Sequence, residues 1–210
     1  MIPQFLPEVL KANLGFTPSN VFEIGSRDGH DAVDIARLLG VFQSSVVIFE
    51  AHPDLAVQIR QRYPNVTVFN NACSNENGIL PFHSCIMDAN NNHGMSSLAP
   101  RSDYDDPTKY KTVNIDTIRM DDWMAEYEIK SIDFLKLDVE GKTWEVLDGF
   151  GARLKDVKVI HLEAERKQFW EGQKLFSDVI TKLLPTHHLV HCIDLGGQSD
   201  SIWIEKESVS

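Results

Sequence analysis

The feature that most constrains this chain is an alternation of two periodicities. Five short, continuous apolar runs, NVFEIG (20–25), SSVVIFE (44–50), NVTVFN (65–70), IDFLKLD (132–138) and VKVIHLEAE (157–165), are rich in Val, Ile and Phe and read as buried strands. Between them HDAVDIARLLG (30–40), PDLAVQIRQRY (53–63), KTWEVLDGF (142–150) and WEGQKLFSDVITKLL (170–184) repeat apolar residues at helical spacing. Strands alternating with helices bury their apolar faces as a parallel sheet wrapped by helices on both faces. The chain of 210 residues, 42% hydrophobic, is sized for one such domain over 1–210, with a helix in 1–19 leading into the first strand.

The end of the chain departs from the alternation. HHLVHCID (187–194) and DSIWIEK (200–206) are strands joined by LGGQS, too short for a parallel crossover, so they form an antiparallel C-terminal hairpin at a sheet edge. Residues 84–111, SCIMDANNNHGMSSLAPRSDYDDPTKYK, also interrupt the pattern. A stretch that long and polar inside an α/β domain reads as an insertion serving as a substrate lid, with His93, Met95, Ser96 and Ser97 able to face a ligand.

Charge and cysteine usage narrow the partners. With 20 Lys and Arg against 31 Asp and Glu the net charge is -11, which repels a polyanion, so no nucleic-acid partner is expected. Cys73, Cys85 and Cys192 lie far apart without metal-ligand spacing, as reduced thiols in a cytoplasmic protein would. The opening MIPQFLPEVLKANLG lacks a basic leader, and no run reaches the ~18 apolar residues of a membrane span.

Chemistry concentrates where strands end. In FEIGSRDGHDA, Gly25 allows a tight turn after the first strand, and Gly29 relieves crowding where the next helix begins with free N–H groups. Glu50 ends the second strand about 20 residues further on, where doubly wound nucleotide sites place the acid that holds ribose hydroxyls. Glu23, inside an apolar strand, needs a partner. A dinucleotide site asks for Gly-x-Gly-x-x-Gly, but Ser26, Arg27 and Asp28 separate the only two glycines here, which disfavours an NAD-dependent oxidoreductase. A carboxylate-lined pocket suits the ammonium and sulfonium of S-adenosylmethionine. A module that binds this cofactor without catalysis is the remaining alternative.

Several ordered motifs across residues 20–165 resemble the FkbM-type S-adenosylmethionine-dependent methyltransferases: FEIGSRDG, FEAHP, NNACSNENG, HGMSSL, VNIDTIRMDDW and above all IDFLKLDVEGKTWEVLDGF. Ser26-Arg27 stands where that family usually has Ala-Asn, and Lys142-Thr143 where it commonly has Ala-Glu. The resemblance implies a Rossmann-like class I methyltransferase with a mostly parallel seven-stranded sheet, acting on a hydroxyl of a sugar, glycan or small-molecule natural product. It implies that Glu23, Gly25 and Gly29, with Ser26 and Arg27, surround the methionine end, that Glu50 and Ala51 hold the ribose, and that Asn71 and Ala72 border the adenine. Asp138 would lie beside the sulfonium. An alcohol acceptor must lose a proton, which makes Asp138, Glu163, Glu140 or His93 the candidate base. Asp138 and Glu163, ending adjacent strands, would meet at the cleft, and could instead bind Mg²⁺ or Ca²⁺.

Overall fold

The computed structural model describes residues 3–85, 95–102 and 109–208. All seven expected strands of the main sheet form: β1 (Val21–Ile24), β2 (Val46–Phe49), β3 (Thr67–Phe69), β7 (Phe134–Leu137), β8 (Val159–Glu165), β9 (His187–Asp194) and β10 (Gln198–Glu205). Their order is β3-β2-β1-β7-β8-β10-β9. The first five are parallel, with Glu23 paired to Ile48 on one side and to Lys136 on the other. After β1 the chain steps outward through β2 and β3, and later returns to β1's other side through β7. That reversal opens a crevice above the carboxyl ends of β1 and β7.

The hairpin forms, but not as a simple addition at the edge. β10 inserts between β8 and β9 and runs antiparallel to both, leaving β9 as the edge. Burial explains the order: Ile202, Trp203 and Ile204 are fully buried, whereas β9 is exposed or half-buried along most of its length. The continuous SIWIE run marks an interior strand.

Helices cover both faces. On one, α1 (Leu6–Asn13), α2 (His30–Leu39) and α3 (Pro53–Arg62) bury Leu6, Leu10, Ile35 and Ile59 against Val21, Phe134, Val159 and Ile202. On the other, α4 (Met120–Glu126), α5 (Thr143–Gly149) and α6 (Phe176–Leu183) bury Met120, Trp123, Leu147 and Val179 against Phe22, Leu135, Leu137 and Trp203. The helix expected over 170–184 begins only at Phe176, because Gln173 Oε1 accepts from the Phe169 and Trp170 amides at 2.6 Å each and fixes a turn there. Among the described residues no helix is long and apolar enough to cross a membrane.

A second sheet replaces part of the expected insertion. β4 (Ala72–Cys73), β5 (Gly78–Cys85) and β6 (Tyr110–Ile118) pair in the order β4-β6-β5, with Cys85 opposite Tyr110. Residues 84–85 and 110–111 therefore belong to strands, and the stretch between them connects an antiparallel pair. Its described part, 95–102, crosses back over the domain: Ser97 bridges to His83, and Arg101 bridges to Trp170. His93 lies outside the described residues, within the stretch 86–94.

Candidate active site

A cavity of about 700 Å³ opens at the carboxyl ends of β1, β2 and β7. Its floor is the turn after β1. Gly25 has φ +78°, and a Cβ there would lie 1.8 Å from the Asp138 carbonyl oxygen, so only glycine allows β1 and β7 to close on each other. Gly29, at φ +77°, caps α2, and its missing side chain leaves room for Ile59 and Tyr63. Between them Ser26 donates to the Glu23 carboxylate while its Oγ accepts from the Gly29 amide at 3.0 Å. The hydroxyl thus links the buried acid to the helix cap.

Glu23 is 2% exposed, and burial pushes its carboxyl up to about 8, opposed by the Ser26 hydrogen bond and the charge of Lys136. Glu50 lines the cavity where β2 ends, and its carboxylate also builds the turn. Oε2 accepts from the Ser26 and Arg27 amides at 3.1 and 2.8 Å, and Oε1 from the His52 amide at 2.7 Å. Arg27 sits at φ +60°, a left-handed conformation uncommon outside glycine. Asn70, which sequence reasoning passed over in favour of Asn71, donates to the Glu50 and Ala51 carbonyls at 2.8 and 3.0 Å and fixes that strand end. Asn71 itself lines the cavity beside an apolar wall of Ala51, Ala72, Phe82 and Leu98.

The opposite wall is acidic. Asp138 follows β7 and lines the cavity, and one strand over Glu163 belongs to β8. Pairing of Leu137 with Leu162 brings the two acids alongside. A lysine bridges them. The Lys136 ammonium, 3% exposed, lies 3.4 Å from Asp138 Oδ2 and 3.6 Å from Glu163 Oε1. Burial and Asp138 push Glu163 up to about 7, against the pull of Lys136. Its Oε2 accepts from Gln198 Nε2 at 2.5 Å, and Gln198, not Glu163, borders the cavity. Behind this pair His161 and Asp200 form a buried contact of 2.6 Å, and burial keeps the imidazole below its usual range.

Glu140 and Gly141 turn the chain away from β7 in consecutive left-handed conformations, φ +48° and +79°. Side chains fix that corner on both sides. Ser97 Oγ donates to the Glu140 carbonyl at 2.6 Å, and Glu165 Oε1 accepts from the Gly141 amide at 2.7 Å. Trp170 covers it so closely that a Cβ on Gly141 would lie 2.3 Å from the indole. The strand therefore stops before Glu140, which does not share Asp138's face but is turned into the cavity by the bend. Burial, then Asp138, Glu165 and Glu163, push its carboxyl up to about 9.

Among the described residues no three His, Cys, Asp or Glu side chains converge to hold a metal ion, and the cation between Asp138 and Glu163 is a lysine. S-adenosylmethionine fits the donor set better: an acidic wall for its cationic end, a strand-end carboxylate for hydroxyls, and a small apolar wall for a purine.

Comparison with known proteins agrees with the fold and the site. The model of the methyltransferase FkbM domain matches residues 23–190. The chain is similar to 2-O-methyltransferase NoeI of Sinorhizobium fredii (strain NBRC 101917 / NGR234), with 29% identity over 189 residues, 86% of this chain and 76% of that protein. Among solved structures it resembles the methyltransferase FkbM of Methylobacillus flagellatus KT, with a TM-score of 0.56 at 12% identity over 90% of this chain and 44% of that one. It also resembles Aeropyrum pernix fibrillarin with natively bound S-adenosyl-L-methionine, with a TM-score of 0.51 at 9% identity over 96% of this chain and 74% of that one.

Strand order, the central crevice and these likenesses define a Rossmann-like class I methyltransferase that uses S-adenosylmethionine. Within that class the chain belongs to the FkbM methyltransferase family. Family membership sets aside both the NAD-dependent oxidoreductase and the non-catalytic module.

Proposed function

We propose that this protein transfers a methyl group to a hydroxyl oxygen of a sugar, glycan or related small molecule, with Asp138 as the base. The observation that carries the reading is the placement of Asp138, a cavity-lining carboxylate at the carboxyl end of a central strand, oriented from behind by Lys136. The similarity to a 2-O-methyltransferase supports a hydroxyl acceptor.

Bound in the cavity, S-adenosylmethionine supplies an electrophilic methyl group on a sulfonium that leaves as a neutral thioether. Glu23, Gly25, Ser26, Arg27 and Gly29 would hold its methionine end, Glu50 and Ala51 its ribose, and Asn71 and Ala72 its adenine. Asp138 would take the acceptor's hydroxyl proton, so that the oxygen could accept the methyl group and the neutral thioether be released. Glu140, largely protonated at neutral pH, can donate and accept hydrogen bonds to an uncharged polyol, and Ser96 and Gln198 add further polar contacts on the same wall. The described strap at 95–102 narrows access to this wall and keeps water from the reacting atoms.

The test is transfer of labelled methyl from S-adenosylmethionine to a panel of free sugars, oligosaccharides and alcohols. Asp138→Asn keeps the shape and removes the charge, so turnover should fall ~10²-fold or more with the fold intact. Near-normal turnover under saturating cofactor and acceptor would show that Asp138 only shapes the cleft. Chelator should leave wild-type activity unchanged, since Lys136 already supplies the cation between the carboxylates.

A further inference from the structure

Methyl transfer does not by itself require a lysine beneath the acidic wall. Lys136 lies in the middle of β7 between Leu135 and Leu137, both fully buried, and pairs with Glu23 on β1 and His161 on β8. Those registers set Glu23, Lys136 and His161 in one row across three strands, one step below Asp138 and Glu163. The titratable groups facing the ammonium come from every neighbouring strand: Glu23 from β1, Asp138 from the end of its own strand, Glu163 and His161 from β8, and Asp200 from β10. Asp31 of α2 faces Glu23, and α1 is preceded by Phe5, whose ring packs on His161. A buried ammonium is costly, and this one repels the sulfonium that the carboxylates attract. An apolar side chain would fill the same space without either penalty.

We propose that Lys136 is a positioning residue that holds Asp138 and Glu163 as an oriented, ionised pair, so that the cleft grips the sulfonium methyl donor more tightly than its neutral demethylated product. This rests on the reading of the cavity as the S-adenosylmethionine site. Two carboxylates in register on adjacent strands, without a cation between them, relieve their repulsion by sharing a proton. The shared proton removes a negative charge at the level of the cleft, whereas the ammonium balances the pair from one step below it. With the ammonium 3.4 and 3.6 Å from the two acids, both can stay charged and aimed. Once the methyl has gone, the thioether carries no charge, the attraction lapses and the product leaves. Glu163, held near 7 by burial and Asp138 against the pull of Lys136, places the transition in an accessible range.

The experiment is calorimetric binding of S-adenosylmethionine and S-adenosylhomocysteine between pH 5.5 and 8.5. In the wild type, the preference for the sulfonium compound over the thioether should rise through pH ~7. In Lys136→Met the rise should move up by about one pH unit or more, cutting the preference for the donor at pH 7 about fivefold or more, and Lys136→Arg should restore it. Glu163→Gln, which leaves the lysine in place should the methionine variant not fold, should move the rise to lower pH. Equal weakening of both ligands in Lys136→Met, or an unshifted profile in Glu163→Gln, would overturn the proposal and leave Lys136 a structural ion. Carboxyl ¹³C titration of the ligand-free protein separates the two levels of the argument. Titration of Asp138 and Glu163 unchanged by Lys136→Met refutes the pairing role, whereas a wild type that binds neither ligand refutes the assignment of the cavity.

Discussion

Glu50 serves two purposes that substitution can separate. Its carboxylate takes the Ser26, Arg27 and His52 amides, and it stands where the ribose of the cofactor is proposed to lie. Glu50→Ala should therefore weaken S-adenosylmethionine binding by about 2–3 kcal/mol, on the order of 10²-fold, and also lower the melting temperature, because three amides lose a charged acceptor. Glu50→Gln keeps an acceptor for the turn but loses the charge, so calorimetry should show most of the stability regained and the affinity still reduced. Full recovery of affinity in that variant would make Glu50 only a builder of the turn.

At the same scale, the residues that sequence reasoning found were those whose chemistry conflicts with their surroundings. Glu23 inside an apolar strand and Asp138 where a strand stops both stood out. Lys136 carries the same conflict in FLKLD and was passed over, because one lysine in a strand reads as an exposed side chain until the partner strands are known. Gln198 and Glu165 act through a register and a bend that only the folded chain creates. Their sequence neighbourhoods carry no signal.

At the scale of elements, the strap over 95–102 is held at both ends by backbone pairs. Ser97 and His83 exchange both amide hydrogen bonds, at 3.2 and 2.8 Å. At the other end the Ser102 amide donates to Phe169 at 2.8 Å and the Glu171 amide donates to Pro100 at 2.9 Å. Between these anchors Ser97 Oγ ties the strap to the Glu140 carbonyl and accepts from the Ala99 amide at 3.1 Å. Hydrogen exchange should therefore be slow at the Ser97, Ser102 and Glu171 amides. Ser97→Ala, which removes two buried bonds for about 1–3 kcal/mol, should speed exchange along the strap and at the Glu140-Gly141 corner together. Unchanged exchange at the corner would mean that the strap only lies over it. The main sheet was legible at this scale because each strand is a short apolar run between helical periods. The second sheet was not, because GILPFHSC carries a proline and mixed polarity, and its partner strand lies beyond a long polar connection. The place of β10 followed from burial on both faces, which its SIWIE run announces but a hairpin turn alone does not.

At the scale of the whole molecule, the acidic wall ties folding to pH. Burial raises the carboxyls of Glu23, Glu163 and Glu140 to about 8, 7 and 9, while in the unfolded chain all three ionise near the ordinary glutamate value of 4.5. A carboxyl raised by folding contributes stability that is complete below the unfolded value and is lost as pH rises through the folded one. Two other sets act in the opposite sense: burial depresses His161 and His187, whose contribution is lost as pH falls, and Asp28, Asp133 and Asp148, held low by hydrogen bonds and cations, lose theirs only in acid. Between pH 7 and 9 the histidines are neutral in both states, so Glu23 and Glu140 dominate. The melting temperature of the ligand-free protein should therefore fall across that window. Each such group sets a slope of at most roughly 1.4 kcal/mol per pH unit. Glu23→Gln should flatten the part below pH 8. Saturating S-adenosylmethionine should flatten the decline as well, since a cation in the cavity favours the ionised acids, and S-adenosylhomocysteine should do so less. Scanning calorimetry at constant ionic strength reads all four curves, and a melting temperature flat from pH 7 to 9 without ligand would mean that the acidic wall is open to water before the cofactor arrives.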